Sequence, residues 1–492
     1  MNAFDFRVRD DFVNRAADLA RLEQWWADRT RDALGIYGRR RVGKSWLFRR
    51  FADGKPAVIL VADERAVASQ LARFADQIAD DLGGVRPSIS DAADLVRVLY
   101  RLGRRQKIVA VIDEFPLLLP KGPARQRLLS AVGAVMEEER DDSKTKLILC
   151  GSIIGQMESL LAQRSPLHGR LQPLDVRPLT FGEARQLLQR EQPADMVTRY
   201  SLTGGMARYL AEIGSGGSLR QRVCERVLDR QAPLFDDPRL VLERELRAPA
   251  IYFSLLEELA RGEAGIDHLA EALGTQSPKL TGYMDTLREM RLVSAHRPAG
   301  AAASSRKRKY RLDDGFIRFW FRFVFPHQED LDSGLSATDL WDGVISGELA
   351  GHTAQTFEEL CRVYTRRRYG MEAPSVGGWW GEADPRYKPE RREEEVDIVG
   401  LKRKRAVIVG ECKWTTRRMP RAVLDDLETY KIPALLRDKA IKPSKEGPRI
   451  LLFGRTGFSA DLERAASDAE NVELITVDKL VTELLSGESV LD

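Results

Sequence analysis

The 492-residue sequence predicts a multidomain α/β protein. Three observations support this fold class. A glycine-rich loop lies between a short apolar stretch and a helical pattern, a second apolar run ends in two acids, and the last third reads as helix, three strands, helix and strand. Because domains usually hold about 100–150 residues, the length indicates about three domains. The hydrophobic content of 43% is enough for several buried cores.

The glycine-rich loop GIYGRRRVGKS matches the pattern G-x-x-x-x-G-K-[ST] at Gly38, Gly43, Lys44 and Ser45. Glycines let such a loop turn its backbone N–H groups toward phosphates, while the lysine supplies a cation and the serine a hydroxyl for Mg²⁺. An apolar strand precedes the loop, and the helix SWLFRRFA follows it with its N-terminus at the phosphates. This P-loop predicts a site for ATP and Mg²⁺.

A second strand is predicted at Ile108–Ile112, an unbroken apolar run typical of a parallel sheet covered on both faces. Asp113 follows at its carboxyl end, where ligands bind in such sheets, and is expected to hold Mg²⁺ through water. We predict that Glu114 polarises the attacking water. The alternative for Glu114 is a surface acid that follows a buried strand.

A third strand, KLILCGS, ends in Ser152, which is placed to sense the γ-phosphate. Downstream, Arg164 and Arg170 are candidate cations for a phosphate of the same chain or of a neighbouring subunit. The second case implies a homo-oligomer. A surface arginine is the alternative at both positions.

Residues 247–330 change to three short helices followed by two strands around a flexible tip, SAHRPAGAAASSRKRKYRL. This order resembles a winged helix-turn-helix, in which Lys279 and Arg288 on the third helix contact phosphates. The tip run Arg306–Lys309 then touches the DNA backbone or minor groove. The alternative is a spacer with a solvated basic tip. The aromatic run FIRFWFRFVFPH favours a packed helix over a platform for bases.

The carboxyl third places Asp397 in the strand VDIVGL and Glu411 and Lys413 in the strand IVGECK. Residues two apart on a strand share a face, so Glu411 and Lys413 point the same way, and Asp397 can join them. Two carboxylates and a lysine can bind Mg²⁺ and position a water. The alternative is a salt-bridged sheet edge that only holds DNA. Glu395 shares a face with Asp397 and competes for its role.

Taken together, the amino-terminal motifs resemble the archaeal-type ATPases of the AAA plus and STAND division. The resemblance rests on six segments: FVNRAADLARL (Phe12–Leu22), the P-loop, IDEF (Ile112–Phe115), CGS (Cys150–Ser152), SPLHGR (Ser165–Arg170) and TGGMARYL (Thr203–Leu210). It implies that Asn14 and Arg15 lie near the adenine or ribose. One departure is that Met206 and Ala207 follow the glycine pair, where the family often has a proline.

The carboxyl third resembles the PD-(D/E)xK, or restriction-endonuclease-like, nucleases, with the order αβββαβ. This resemblance implies a further metal carboxylate on the opening helix, either Glu358 or Glu359. The whole arrangement also resembles the domain of unknown function that accompanies archaeal-type ATPases. We therefore expect an ATPase core at 1–190, a helical lid at 191–246, a winged helix at 247–330 and a nuclease-like domain at 331–492.

Charge and cysteine content limit the function. With 78 Lys and Arg against 74 Asp and Glu, the net charge of +4 excludes a uniformly basic coat, so any binding to DNA needs local patches. Four scattered cysteines and the lack of an apolar run of about 20 residues indicate a cytoplasmic protein without a membrane span. The preferred prediction is an ATP-regulated, DNA-directed, metal-dependent nuclease. The rival is a STAND-like signalling ATPase whose last domain only recognises a partner.

Overall fold

The computed structural model describes residues 15–81, 85–188, 191–305, 307–387 and 391–486. The chain forms two compact units, one of residues 1–179 with 206–208 and one of residues 180–205 with 209–492. The first unit ends about ten residues before the predicted boundary at 190. The regions predicted as lid, winged helix and carboxyl domain share the second unit. In the described part of the chain, no helix is long and apolar enough to cross a bilayer.

The first unit is built on a parallel sheet of five strands in the order β2-β3-β4-β1-β5. The strands are β1 (Ala33–Tyr37), β2 (Ala57–Val61), β3 (Ile108–Asp113), β4 (Thr145–Gly151) and β5 (Gln172–Asp175). Every residue of β3 and β4 is buried, because helices cover the sheet. This sheet confirms the predicted parallel α/β fold.

The helices of the first unit follow the strands they connect. They span Ala16–Ala27, Lys44–Ala52, Val67–Asp81, Ala92–Leu102, Pro123–Glu139 and Ile154–Leu161, with a 3₁₀ turn at Phe115–Leu118. Since all five strands run in the same direction, their carboxyl ends meet at one edge of the sheet. The P-loop follows β1 at this edge, Asp113 is the last residue of β3, and Glu114 follows it.

The second unit begins with short helices and a small antiparallel hairpin. Its α-helices up to the hairpin are Arg185–Leu188, Pro193–Thr203, Ala207–Ile213 (from Tyr209 onward), Leu219–Val223, Asp237–Glu245, Pro249–Arg261, Ile266–Ala272 and Ser277–Glu289. The hairpin pairs β6 (Val293–His296) with β7 (Lys309–Leu312). Three helices and a hairpin thus occur in the order expected of a winged helix.

The aromatic run after the hairpin is core. Phe316, Phe319, Trp320, Phe321 and Phe323 are each at most 1% exposed. Trp320 also donates a 2.6 Å hydrogen bond from Nε1 to the carbonyl of Phe235. A packed segment, and not a platform for bases, is therefore the correct interpretation.

A second sheet follows, with the strand order β13-β12-β10-β9-β8 and a two-residue strand, β11, paired to β10. Its strands are β8 (Ser375–Glu382), β9 (Glu393–Lys402), β10 (Arg405–Lys413), β11 (Lys442–Pro443), β12 (Arg449–Gly454) and β13 (Val472–Thr476). Strands β8, β9 and β10 are antiparallel neighbours, whereas β12 and β13 run parallel to β10.

The remaining helical segments of the second unit include those that cover the second sheet. They are Gly315–Phe319, Gln328–Asp332, Ala337–Leu340, Ser346–Tyr369, Ala422–Asp426, Ile432–Arg437, Ala460–Asp468 and Val477–Ser486, with π-helical turns at Cys224–Leu228, Trp320–Val324, Trp341–Ile345 and Leu427–Lys431 and 3₁₀ turns at Phe325–His327 and Pro385–Tyr387. The long helix Ser346–Tyr369 contacts β8, β9 and β10. It brings its acidic residues to the face of the sheet that carries Asp397.

Candidate functional site

The P-loop is curled so tightly that its glycines are required. A Cβ on Gly38 would lie 2.2 Å from the carbonyl oxygen of Val176, and Gly43 has φ +100°. Inside the curl, Lys44 is only 6% exposed. Its Nζ donates to the carbonyls of Gly38 at 2.7 Å and Arg39 at 3.0 Å. The ammonium is therefore held within the loop whose N–H groups are suited to phosphates.

The hydroxyl and carboxylate predicted to hold Mg²⁺ lie together. Ser45 Oγ donates to Asp113 Oδ2 at 3.0 Å. Burial raises the pKa of Asp113, and the charge of Glu114 adds to this rise, while hydrogen bonds from Cys150 and Ser45 and the charge of Lys44 oppose it. In P-loop proteins Mg²⁺ takes few protein oxygens and completes its shell with phosphates and water. Ser45 and Asp113 fit that role.

Glu114 and Ser152 lie side by side at the ends of β3 and β4. Glu114 occupies the left-handed backbone region at φ 55°. Its Oε2 accepts a hydrogen bond from the backbone N–H of Ser152 at 3.1 Å. The Ser152 hydroxyl is buried and has no hydrogen-bond partner among the described residues. It is a polar group available to a ligand at this edge.

Arg15 supports the P-loop from the start of the first helix. Its guanidinium donates to the carbonyls of Val42 at 2.6 Å and Arg177 at 2.9 Å, and it pairs with Asp18 at 3.2 Å. The arginine is thus a brace between the loop and the segment after β5. Contact with the adenine or ribose stays a prediction, and Asn14 lies outside the described residues.

Arg170 lies at the opposite edge of the sheet, which corrects its prediction as a phosphate ligand of the same chain. It comes just before β5, whose first residue, Gln172, is level with Leu34 near the start of β1. Its guanidinium bonds the carbonyl of Pro166 at 2.9 Å and Glu137 at 3.2 Å. A residue that precedes a parallel strand lies away from the carboxyl edge that carries the P-loop. Contact with a neighbouring subunit's nucleotide stays a prediction for Arg170 and for the exposed Arg164.

Arg208 is a candidate that the sequence analysis missed. Residues 206–208 pack with the first unit. The backbone N–H of Arg208 donates to Arg41 of the P-loop at 3.3 Å. Its Nε is buried without a hydrogen-bond partner among the described residues. The sequence signal for Arg208 is its position in the family segment TGGMARYL, directly after the glycine pair and Met206–Ala207.

The second candidate site lies where β9 and β10 pair, as the sequence predicts. Asp397 Oδ2 accepts from the backbone N–H of Cys412 at 2.8 Å. Glu411 is 1% exposed and binds Lys413 Nζ at 2.9 Å. Its other oxygen binds Lys431 Nζ at 2.7 Å. The sequence does not predict Lys431, because it lies on a helical turn 20 residues after Glu411, and no strand spacing relates the two.

Electrostatics explain why this carboxylate cluster is tightly coupled. Burial raises the pKa of Glu411, as does the charge of Asp397, while Lys413 and Lys431 oppose the rise. Burial also weighs against the charged form of Lys413, but Glu411 and Asp397 outweigh it and raise the pKa of that lysine. The site is therefore a charged network of two acids and two ammonium groups.

The opening helix contributes Glu358 and not Glu359. Burial raises the pKa of Glu358 to about 8, and the charge of Asp397 adds to this effect. Glu358 pairs with Arg362 at 3.2 Å. Glu359 shares that arginine at 3.4 Å and is also bound by Arg311 at 3.4 Å and by Arg366 at 2.7 Å. Glu395 is 58% exposed and pairs with Lys309 at 3.5 Å, so it does not take the place of Asp397.

The predicted divalent metal does not fit this second arrangement. Within the described ranges, no group of three or more His, Cys, Asp or Glu side chains is arranged to hold a metal ion. Both oxygens of Glu411 accept from ammonium groups, and one oxygen of Asp397 accepts a backbone N–H. We therefore derive no metal-dependent step from it.

The wing is also engaged within the protein. On strand β7, Lys309 forms an ion pair with Glu395. The Nζ atom of Lys309 also lies 4.8 Å from the ring centre of Trp380. Arg311 pairs with Asp313 at 2.9 Å as well as with Glu359. Lys309 is thus paired with an acid, which corrects the prediction that this residue is free for DNA. Lys307 is exposed, and contact of Lys307 and Arg308 with DNA stays a prediction. Arg306 lies outside the described residues.

The cations on the third helix of the winged-helix region make fewer ion pairs than those on β7. Lys279 is exposed, and Arg288 pairs with Asp285 at 2.9 Å on the same helix. Contact of these two residues with phosphates stays a prediction.

Family comparisons agree with the site in the first unit. Residues 12–213 match a family described as an ATPase domain predominantly from Archaea. The chain carries an archaeal-type ATPase domain. Residues 320–424 match a second family, of archaeal and bacterial proteins of unknown function.

Two curated proteins and a solved structure are also similar to this chain. An uncharacterized protein of Methanocaldococcus jannaschii is 25% identical over 476 residues, which cover 91% of this chain and 100% of the relative. An uncharacterized ATP-binding protein of the same organism is 43% identical over 44 residues, 9% of this chain and 75% of that protein. A solved Walker-type ATPase of Pyrococcus abyssi superposes with a TM-score of 0.50 at 19% identity, covering 64% of this chain and 97% of the other. The last likeness concerns the fold alone.

Proposed function

We propose that the archaeal-type ATPase domain binds ATP with Mg²⁺ and hydrolyses it at the P-loop edge of the first sheet. The observation that supports this most is the 3.0 Å hydrogen bond between Ser45 and Asp113. This bond joins the P-loop to β3, the strand that carries Asp113, the proposed carboxylate for Mg²⁺. A site that only bound nucleotide would not need the adjacent Glu114, which lies at the same edge as Ser152.

Each residue of the P-loop site has a distinct role in this proposal. Lys44 neutralises phosphate charge, and Ser45 with Asp113 holds the Mg²⁺ ion, which supplies charge stabilisation to the phosphates when it is bound. Glu114, which accepts a hydrogen bond from the backbone N–H of Ser152, has the proposed role of orienting a water for attack. Ser152 offers an unpaired hydroxyl at the same edge. Arg15 keeps the loop in shape.

Two variants separate binding from hydrolysis. Lys44→Ala should weaken ATP binding by about 10-fold or more, because it removes a cation from the phosphates while the loop is otherwise retained. Glu114→Gln should bind ATP at nearly wild-type affinity and hydrolyse it at least about 10-fold more slowly. Calorimetry measures the first effect, and phosphate release the second. Unchanged affinity in Lys44→Ala would refute the P-loop site.

As a second function, we propose that the carboxyl domain recognises DNA, with metal-dependent cleavage as the competing proposal. The engaged state of both Glu411 oxygens favours recognition. The convergence of Asp397, Glu411 and Lys413 on one face favours cleavage. A divalent ion at Glu411 would have to replace an ammonium contact from Lys413 or Lys431.

Plasmid nicking with Mg²⁺ or Mn²⁺ distinguishes the two. A nuclease should lose cleavage in Asp397→Ala and in Glu411→Ala while keeping DNA affinity, because phosphate contacts come from Lys and Arg. Lys413→Ala should also lose cleavage. Absence of metal-stimulated cleavage by the wild type on duplex, single-stranded and branched substrates would leave recognition as the function.

A further inference from the structure

The turn between β9 and β10 and the neighbouring segment 439–445 carry a concentration of positive charge. Seven cations are exposed here: Lys402, Arg403, Lys404, Arg405, Lys439, Lys442 and Lys445. Backbone pairing holds the segments side by side, since Arg405 faces Lys402 on one side and Lys442 on the other. The N–H of Lys442 also donates to the carbonyl of Lys404 at 2.8 Å. We name these seven residues the basic turn patch.

The cations of the basic turn patch are unpaired. None of the seven forms an ion pair within the described ranges, and Arg405 bonds only the backbone carbonyl of Pro443, at 2.8 Å. The arginines near the carboxylate cluster are different, because Arg311 and Arg362 each bind two or more acids. In a chain of net charge +4, this patch is therefore a local source of positive potential.

Acids near the basic turn patch do not cancel it. The carboxylate of Asp438 accepts hydrogen bonds from the indole N–H of Trp379 and the backbone N–H of Ala440. Glu446 is exposed at the end of the segment. Seven cations against these two acids leave a strong local excess of positive charge.

The turn itself uses cations where the backbone disfavours them. Arg403 has φ 50° and Lys404 has φ 66°, so both residues of this two-residue turn are left-handed. Such turns favour Asn-Gly, because other side chains are strained in this backbone region. Both side chains are exposed, and neither takes part in packing that would offset the strain. Strained residues that packing does not explain mark a functional surface.

We propose that the basic turn patch binds the phosphate backbone of duplex DNA. Unpaired Lys and Arg on a polar surface suit phosphates, and none of the exposed large hydrophobic residues of the described chain lies in this segment, which disfavours membrane insertion. Three chain segments side by side span about 10 Å, so the cations form a surface wide enough for both strands of a duplex. The wing borders this surface, because Gly300 packs against Ile441.

The choice of DNA rests on the DNA-directed role proposed above, but the assay does not depend on cleavage or on ATP. Binding of a fluorescent duplex of about 20 base pairs is followed by anisotropy in EDTA, without nucleotide, over a series of salt concentrations. The key variant is Arg403→Asn/Lys404→Gly. It removes two cations and installs the residues that this turn prefers, so its unfolding free energy should equal or exceed that of the wild type.

This variant should bind duplex about 10-fold or more weakly at physiological salt. The slope of log K against log salt should become less negative by about 1.8, since each lost phosphate contact contributes about 0.9. The matched control is Arg421→Gln/Arg464→Gln, which removes two exposed cations of the same domain that pair with Asp425 and Asp461. The control should keep wild-type affinity and slope.

Equal binding by the wild type and the turn variant would overturn the proposal, as would an equal loss in the control. It is also overturned if the turn variant loses binding only to single-stranded RNA or to phosphatidylserine vesicles. Lys44→Ala should retain duplex binding in this assay. The assay therefore tests DNA binding by the basic turn patch separately from ATP binding by the P-loop.

Discussion

Two adjacent glutamates on the helix Ser346–Tyr369 should respond in opposite ways to loss of their charge. Glu358 is partly buried near Asp397 and Glu395, and its pKa is raised to about 8. For Glu359, burial acts in the same direction, but Arg311, Arg362 and Arg366 outweigh it and lower the pKa. The substitutions Glu358→Gln and Glu359→Gln therefore test the electrostatics of the carboxylate cluster with a matched pair.

The sign for Glu358 follows from its raised pKa. Stability linked to its proton is fully present below the unfolded pKa of 4.5 and is lost as the pH rises through about 8. At about 1.4 kcal/mol per pKa unit, the full interval corresponds to at most about 5 kcal/mol. The side chain is 31% exposed, so water screens part of this energy. We expect Glu358→Gln to gain roughly 1–3 kcal/mol at pH 9 and little at pH 4.

The sign for Glu359 is the reverse. Its lowered pKa gives stability that is present above the unfolded value of 4.5 and is lost as the pH falls through the folded value. Glu359→Gln should therefore lose roughly 1–3 kcal/mol at pH 7 and pH 9, because it leaves its arginines with less counter-charge. This loss should shrink in acid.

Urea unfolding followed by circular dichroism at pH 4, 7 and 9 measures both effects, provided that the slopes with urea match those of the wild type. Opposite signs at pH 9 are the expected result. If both variants destabilise the protein by the same amount at pH 9, Glu358 is not held protonated by its surroundings, and the coupling to Asp397 is refuted.

Three further substitutions test other contacts. Arg15→Ala should destabilise the protein by roughly 1–3 kcal/mol and reduce the rise in melting temperature on adding ATP, because two carbonyls lose their donor; an unchanged rise would show that the P-loop needs no brace. Arg208→Ala should keep the fold and slow ATP turnover by about 10-fold in a phosphate-release assay, and wild-type turnover would exclude this arginine. Arg311→Met should cost roughly 3–5 kcal/mol in urea unfolding at pH 8 and less at pH 4, since Glu263, Asp313 and Glu359 lose their cation; equal losses at both pH values would contradict this.

Local patterns in the sequence were enough for the first site. The P-loop, Asp113 and Glu114 each follow a predicted strand, and parallel strands bring such residues to one edge. The prediction that Arg170 binds a phosphate of the same chain is wrong for a related reason. Arg170 precedes a parallel strand, β5, and therefore lies at the opposite edge of the sheet. The motif around Arg170 does not specify the direction of β5, and that direction determines the edge at which Arg170 lies.

Long-range pairing of charges was not predictable. Clustering along the chain predicts that the run Arg306–Lys309 contacts DNA. The structure pairs Lys309 with Glu395 and Arg311 with Glu359, partners that lie about 50–90 residues away. The spacing of Glu411 and Lys413 correctly predicted their shared face, but Lys431 joins them from a helical turn, where no period of the strand applies.

The distribution of ion pairs decides which basic segment is free for a polyanion. Binding through the wing would first require Lys309 and Arg311 to leave their carboxylates. The cost is small for the Lys309–Glu395 pair, in which Glu395 is 58% exposed, and larger for Arg311, which is 12% exposed and pairs with Glu359. The basic turn patch needs no such separation, because its seven cations have no acidic partner in the described chain. Phosphates binding there displace only water and counterions, a release that favours association. A DNA backbone should therefore contact the turn at Arg403 and Lys404 first, and the wing only where that contact compensates for its ion pairs.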